Sequence, residues 1–511
     1  MASTAAPGAR APLALLSLAL LFATASCDDG ADTGSPADSG GSGADPGDAA
    51  ADPDGSGDGD TAADTGGDRA DTTPPVPEFI RRYSLAESFA APQGFVWRRS
   101  IIHLHSTHSH DACDNTPRVD GDYNYPCLAK LRDALCKVRI DVASLTDHRA
   151  EFGNTPWPDT LLYDPATDEL GVGELGHQYN VMTCPDGFRV TITAGMETAV
   201  MPLSFAGPLS PDQAENFALL DGSDGVAMSR FRAAGALSWV AHTESKTLEQ
   251  LDDLQVQGLE LYNLHANIDP DIRPLLGLDA FAFFTSIGPF IGKTTRAHPD
   301  LALLAFLDVN QNALDKWATV SLRRPVVGTA GTDAHENVLP NELLDGERMD
   351  SYRRMMSWFS NYVLAADDSL DAFRDGLTAG RLFVAFDTLG DPAGFDAWAE
   401  PVAGTRIEMG RSGAPDLTTS SIRATVPVPV DALGGSPSMR TVLLRSNGTT
   451  WVQVAEAGTG DVRFPVTEPG VYRIEVRMVP SHLRPYLDRL TRLADKEQVW
   501  IYTNTFRLVP A

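Results

Sequence analysis

Basic residues are scarce in this chain. Its 511 residues hold 40 Lys and Arg against 69 Asp and Glu, a formal net charge of -29. Such a chain offers no basic field to nucleic-acid phosphates, so no duplex nucleic acid is expected as a partner. Chemistry on a phosphate would need bound cations to reverse the local sign. Long apolar runs are also missing. The stretch 13–23 is too short to span a bilayer as a mature helix. Cysteine is rare, and none of the five is spaced C-x2-C, which argues against a zinc–thiolate site. Between residues 28 and 75 there is no aromatic residue, no Lys and no Glu, but thirteen Asp and one Arg. That segment cannot bury enough apolar surface to offset chain entropy, so 27–76 reads as a disordered Asp/Gly-rich tether.

Residues 1–26 read as a signal peptide. Arg10 precedes the apolar stretch, which ends in Ala23-Thr24-Ala25-Ser26-Cys27. Ala23-x-Ala25 fits an ordinary cleavage site. Ala25-Ser26-Cys27 resembles the end of a bacterial lipobox, although Thr24 stands where Leu is usual. The lipoprotein reading is preferred, because a flexible tether follows Cys27 directly. It implies an exported protein of the bacterial cell envelope, held to the membrane through lipid on Cys27. Without lipidation the protein is secreted. Cys113, Cys127, Cys136 and Cys184 remain. In an exported chain they suggest two disulfides, with three pairings open, clamping the loops around the first histidine motifs.

The remainder divides in two. From 77 to 392, strand-like and helix-like segments alternate. Strands are expected at 100–105, 141–145, 189–194, 236–241, 259–262, 326–329 and 381–386. Leu128, Leu131, Leu135 and Val138 fall at helical spacing, and further helices are expected around 301–322, 351–360 and 369–379. Repeated strand–helix units with polar residues at the strand ends argue an α/β barrel. From 393 to 511, strand-like runs at 422–426, 441–445, 450–454, 470–476 and 499–502 suggest an Ig-like all-β sandwich. Ser446-Asn447-Gly448-Thr449 is the turn between two of them.

The chemistry lies at the expected strand ends. His103-Leu104-His105 is followed by His110-Asp111, Thr146-Asp147-His148, Gly195-Met196-Glu197, Ala241-His242, Glu260…Asn263…His265 and Asp333-Ala334-His335. Imidazoles and carboxylates hold Zn, Mn or Fe at hydrolytic sites. Strand alternation puts His103 and His105 on one side, and likewise Asp333 and His335. Each ligating imidazole is expected to donate its other ring nitrogen to a carboxylate or carbonyl. Asp147 is a candidate for that role, or else a turn residue. Arg149 either reaches a substrate phosphate or forms a salt bridge. His108, His177, His298 and His482 read as ordinary imidazoles.

This ordered set resembles the PHP (polymerase and histidinol phosphatase) family. The matching motifs are His-x-His-Ser, Ser-x-Asp, Thr-Asp-His, Gly-x-Glu, Ala-His, Glu-x-x-Asn and Gly-Thr-Asp-Ala-His. The resemblance implies a distorted seven-stranded (β/α)7 barrel, two or three divalent cations (Zn, Mn or Fe), and phosphoester hydrolysis by metal-bound hydroxide. By that pattern His103, His105, His148, Glu197, His242, Asp333 and His335 would be ligands. Asp111 matches the next position better than the adjacent His110, and His265 matches a ligand of some members. Asp147 and Arg149 would serve catalysis. The substrate would be a phosphorylated small molecule or a nucleotide. The alternatives are an amidohydrolase-type metallohydrolase, for which no Lys stands at a clear strand end, and a non-catalytic metal-binding surface lipoprotein.

Overall fold

The histidine-rich segments are laid side by side because the strands before them pair in parallel. The computed structural model describes residues 76–79, 81, 83–269, 272–278, 284–430 and 433–510. The expected signal peptide, Cys27 and the tether up to residue 75 lie outside the described residues. In chain order the first part holds β1 (Val96–Leu104), α1 (Tyr125–Val138), β2 (Val142–Leu145), β3 (Gln178–Thr183), β4 (Arg189–Ala194), β5 (Met201–Leu203), β6 (Leu237–Val240), β7 (Gly258–Asn263), α2 (Gln311–Arg323), β8 (Val327–Ala334), β9 (Ser360–Ala365), α3 (Leu370–Thr378) and β10 (Leu382–Ala385).

Parallel pairing runs β4–β2–β1–β8–β7–β6. β5 pairs antiparallel with β6. On its other side it meets the end of β4, where Met196 N–H donates to Pro202 C=O and Phe205 N–H to Ala194 C=O. β9 lies antiparallel to the N-terminal half of β1, and β10 to β9. β2, β6, β7, β8 and β9 are buried along their whole length. Strands covered on both faces read as continuous apolar runs. Ile102, Val142, Leu203, Trp239, Val327 and Val363 form one core with Leu370, Phe373 and Leu377, the apolar stripe of α3. Gly380 (φ +70°) closes α3: its N–H donates to Leu377 C=O, and Arg381 N–H donates to Gly376 C=O.

The expected helix at 301–322 is two elements. A 3-10 helix spans Pro299–Phe306, and α2 starts after Asn310, whose side chain accepts from Ala313 N–H. The expected helix at 351–360 is confined to Tyr352–Met356 and gives way to β9 at Ser360. The segment 149–189 holds a short helix, Arg149–Asn154, and a hairpin of Asp168–Val172 with β3. β3 pairs with β4 over Arg189–Ile192, at the end of that strand away from Glu197.

Beyond β10 come β11 (Asp396–Glu400), β12 (Ser421–Val426), β13 (Ser438–Ser446), β14 (Trp451–Ala457), β15 (Gly460–Pro465), β16 (Gly470–Val479) and β17 (Gln498–Thr503). β11, β12 and β15, with Ile407–Glu408, make a four-stranded antiparallel sheet. β14, β13, β16 and β17 pair in turn, and β17 pairs with β10, so the large sheet continues through this region. The turn at Asn447 is as expected: its side chain accepts from Thr449 and Thr450 N–H, and Gly448 takes φ +102°. Val76–Ala511 forms one compact unit of mixed α/β structure. Arg473 is buried against Trp317 of α2, Trp451 and Tyr502, joining α2 to the later strands.

Two disulfides form, Cys113–Cys127 and Cys136–Cys184, as suits an oxidising compartment. Among the described residues no helix is long and apolar enough to cross a membrane.

Candidate metal centre

Every expected donor but Asp111, which stands in the loop seven residues past β1, lies at or just beyond the C-terminal end of a parallel strand, where α/β folds gather functional side chains. His103 is in β1, with His105 one residue past it. His148 follows β2, Glu197 follows β4, His242 follows β6, His265 follows β7, Asp333 is in β8 and His335 follows it. Donor atoms of His103, Glu197, His242 and Asp333 lie within 4.8 Å of one another. The same holds for His105, His148 and His335, for His265, Asp333 and His335, and for His110, Asp111 and His148.

The donor atoms stand close enough to one another that they could share cations. His103 Nε2 is 3.2 Å from both Glu197 Oε2 and Asp333 Oδ1. His105 Nε2 stands 3.1 Å and 3.3 Å from the same two oxygens. His242 Nε2 is 3.4 Å from Glu197 Oε1 and 3.3 Å from Asp333 Oδ2. Asp111 Oδ2 is 3.4 Å from Nε2 of both His148 and His335. Yet His103 Nε2, His105 Nε2, His335 Nε2, His265 Nδ1, Asp111 Oδ1 and Asp333 Oδ1 are buried and make no hydrogen bond. Buried polar atoms left without a partner are costly. Here they converge, and a mixed nitrogen–oxygen set of this kind fits Zn, Mn or Fe.

The other ring nitrogens face outward and are held. His103 Nδ1 lies 2.7 Å from Glu260 Oε1. His105 Nδ1 lies 2.8 Å from Ser109 Oγ, whose hydroxyl donates to Asp147 at 3.1 Å. Asp147 also accepts from Ser106 N–H and Oγ. His242 Nδ1 faces Glu244 at 3.3 Å, and Asn310 donates to Glu244. His335 Nδ1 faces Asp333 C=O at 3.0 Å. These partners assign Nδ1–H to each ring and leave Nε2 to face the centre.

Strand alternation is not what brings His103 and His105 together. His103 takes φ +71°, and the register of β1 slips there against both β2 and β8. Asp333 (φ +52°) and His242 (φ +47°) are left-handed too. Strained backbone of this sort gathers at functional sites. The bulge re-aims His103 so that its ring centroid lies 5.2 Å from that of His105.

Electrostatics favour positive charge in this pocket. Burial opposes ionisation of Glu197, but His103, His105 and His242 hold its carboxyl well below the usual range. Asp333 is held down likewise, by His103 and His265 against burial. Burial opposes charge on His103 and His242 too, yet Asp333 and Glu197 push both well above an ordinary imidazole. His148 is raised to about 9 against burial by Asp111 and Glu197. His335 is the exception, pushed down to about 3 by burial and the neighbouring His105. A field that draws protons onto imidazoles draws divalent cations as well.

Arg149 points elsewhere. Its guanidinium lies over the Phe217 ring, 4.3 Å from the centroid, and pairs with Asp221 at 3.4 Å. The salt bridge is the alternative that the structure shows. His110 is exposed, with its ring 5.1 Å from that of His148. In the sequence Glu260 and Ser109 stand only as members of motifs, with no role of their own, and Glu244 has no part. Glu260 carries a signal: it is the one charged residue in β7, which is buried throughout.

No family model matches the chain, and no curated protein matches it. Among solved structures it is similar to a two-domain protein from Bacteroides vulgatus containing a predicted PHP-like metal-dependent phosphoesterase. The identity is 12%, the match covers 83% of this chain and 99% of that one, and the TM-score is 0.29.

Proposed function

We propose that the protein is an exported, metal-dependent phosphoesterase of PHP type. The single observation that carries this is the sharing of donors. Asp333 belongs both to the His103–Glu197–His242 group and to the His265–His335 group, and His148 and His335 adjoin the first through Glu197 and Asp333. Overlapping groups hold adjacent cations, two or three of them, drawn from Zn, Mn and Fe. When bound, such ions polarise phosphoryl oxygens and activate a water nucleophile.

The protein's own residues set that chemistry. Glu260, Glu244 and the Ser109–Asp147 pair fix the imidazole tautomers and keep the rings from turning. Asp147 thus acts through His105. Arg149, already paired, braces the segment after β2.

The fold reading goes with it. The closure of β4 onto β5 supports a distorted seven-stranded barrel within 77–392. The two antiparallel sheets support an Ig-like sandwich over 393–511 that braces the barrel. The substrate is a phosphorylated small molecule or nucleotide, and the anchor is a lipid on Cys27. Elemental analysis of protein purified without chelator, followed by a panel of phosphomonoesters and phosphodiesters on wild type and His103→Ala, tests this. Bound transition metal and phosphoester turnover lost in the variant are expected. Protein carrying no such metal ends the reading.

A further inference from the structure

The chain just after Asp111 has a rare backbone. Cys113, Asp114 and Asn115 are consecutive non-glycine residues at φ 57°, 56° and 59°. The left-handed region crowds Cβ against the carbonyl oxygen, and L-residues visit it singly. Three in a row persist only where the surroundings over-determine them.

The surroundings do so here through three tethers. Cys113 N–H donates to His335 C=O and Asp114 N–H to Glu336 C=O, each at 2.9 Å. Arg348 grips the Asp114 carboxylate with two bonds, at 2.7 and 2.8 Å. Cys113 is joined to Cys127 in the first turn of α1. The turn therefore ties the segment bearing Asp111 to the one bearing His335 and to a helix. No such turn holds His103, Glu197, His242 or Asp333. His103 and His242 are steadied by Glu260 and Glu244.

We infer that the Cys113–Cys127 disulfide and Arg348 are positioning groups for one cation position among those of the centre. They hold Asp111 beside His148 and His335, and leave the position of His103, Glu197, His242 and Asp333 untouched. The inference rests on the metallohydrolase reading above. It makes the first disulfide a determinant of how many divalent ions the protein keeps, and the second disulfide not.

The test uses the full oxidised chain, loaded with Mn2+ alone and dialysed. Ions per chain are counted by elemental analysis, and the last ion is titrated. The Cys113→Ser/Cys127→Ser variant is expected to keep one ion fewer, or to bind the last ion about 10–100-fold more weakly. Cys136→Ser/Cys184→Ser is expected to match wild type. Asp111→Asn should copy the ion loss with both disulfides intact. Hydrogen exchange over 111–116 should rise only in the first variant. If that variant does not fold, Arg348→Gln carries the same expectation. Unchanged stoichiometry and affinity would overturn the inference, as would an equal loss of every ion. Wild-type protein that binds no ion removes the metallohydrolase reading and this one together. Wild type that binds ions, with the variants unchanged, removes this one alone.

Discussion

His103 sits between two sets of carboxylates. Its Nδ1 lies 2.7 Å from Glu260 Oε1, while its Nε2 faces Glu197 and Asp333 at 3.2 Å each. Glu260 does more than hold this ring. Its second oxygen accepts from His242 N–H at 2.9 Å and from Asn263 Nδ2 at 3.1 Å. One carboxylate thus orients donors from two strand ends.

Glu260→Gln should therefore weaken metal binding without touching a donor. The amide keeps an acceptor for His103 but loses the charge that makes the imidazole a stronger base. A fall in affinity of about 10–100-fold is expected, read by competition with a chromophoric chelator. An unchanged affinity would remove Glu260 from the centre's support.

Gly331 makes the contact between His103 and Glu260 possible. A Cβ at this position would fall 1.8 Å from Glu260 Oε1 and 3.0 Å from His103 Cβ. Gly331→Ala must displace one of them. Overpacking of this kind costs about 1–3 kcal/mol. Denaturant titration should show that loss, and metal affinity should fall with it. A variant with wild-type affinity would mean that Glu260 need not stay where it is.

The candidate donors were legible in the sequence because ligand chemistry requires particular residue types, and most of these stood after short apolar runs that read as strands. Their convergence follows from parallel pairing, which the same runs imply. The local means was not legible. Period-two alternation predicts His103 and His105 on one side, but the structure uses a left-handed residue and a register slip at His103 instead. No rule of composition marks a bulge at a histidine. The break between the helices at Pro299–Phe306 and Gln311–Arg323 was hidden too, because Asn310 sits inside an otherwise helical run and acts only through its side-chain cap. Arg149 shows a third limit: a basic residue beside a ligand motif has no direction until Phe217 and Asp221 are placed around it.

Metal removal should cost stability as well as activity. Cations that bind only the folded chain stabilise it by about 2.7 kcal/mol per site when free ion exceeds Kd a hundredfold. Exhaustive chelation should lower the melting temperature by several degrees, and added Mn2+ should restore it. A melting temperature indifferent to both treatments would mean that the clustered donors hold no ion.

Asp300 gives a prediction about acid. It is buried, and it accepts from Arg353 at 2.7 Å and from the fully buried Arg354. Burial works against its charge, but the two guanidinium groups hold its carboxyl well below the usual range. The pair joins the 3-10 helix Pro299–Phe306 to the helix Tyr352–Met356, which follows the last donor segment. A carboxyl depressed in the folded state binds its proton more readily when unfolded. Its stabilisation is therefore complete above the unfolded pKa, about 4, and is lost as pH falls from there toward the folded value. Asp300→Asn takes one carboxylate from Arg354, which keeps Asp345 at 2.9 Å, so the loss near neutral pH should fall below the about 3–5 kcal/mol of a buried charge left with no partner. The gap between variant and wild type should narrow as pH drops below about 4, because the unfolded wild type then binds a proton that its folded form does not. Urea titrations of both proteins at pH 7 and pH 3.5 read the difference directly. A gap that stays constant, or widens in acid, would show that Asp300 is not the ionised partner of these arginines.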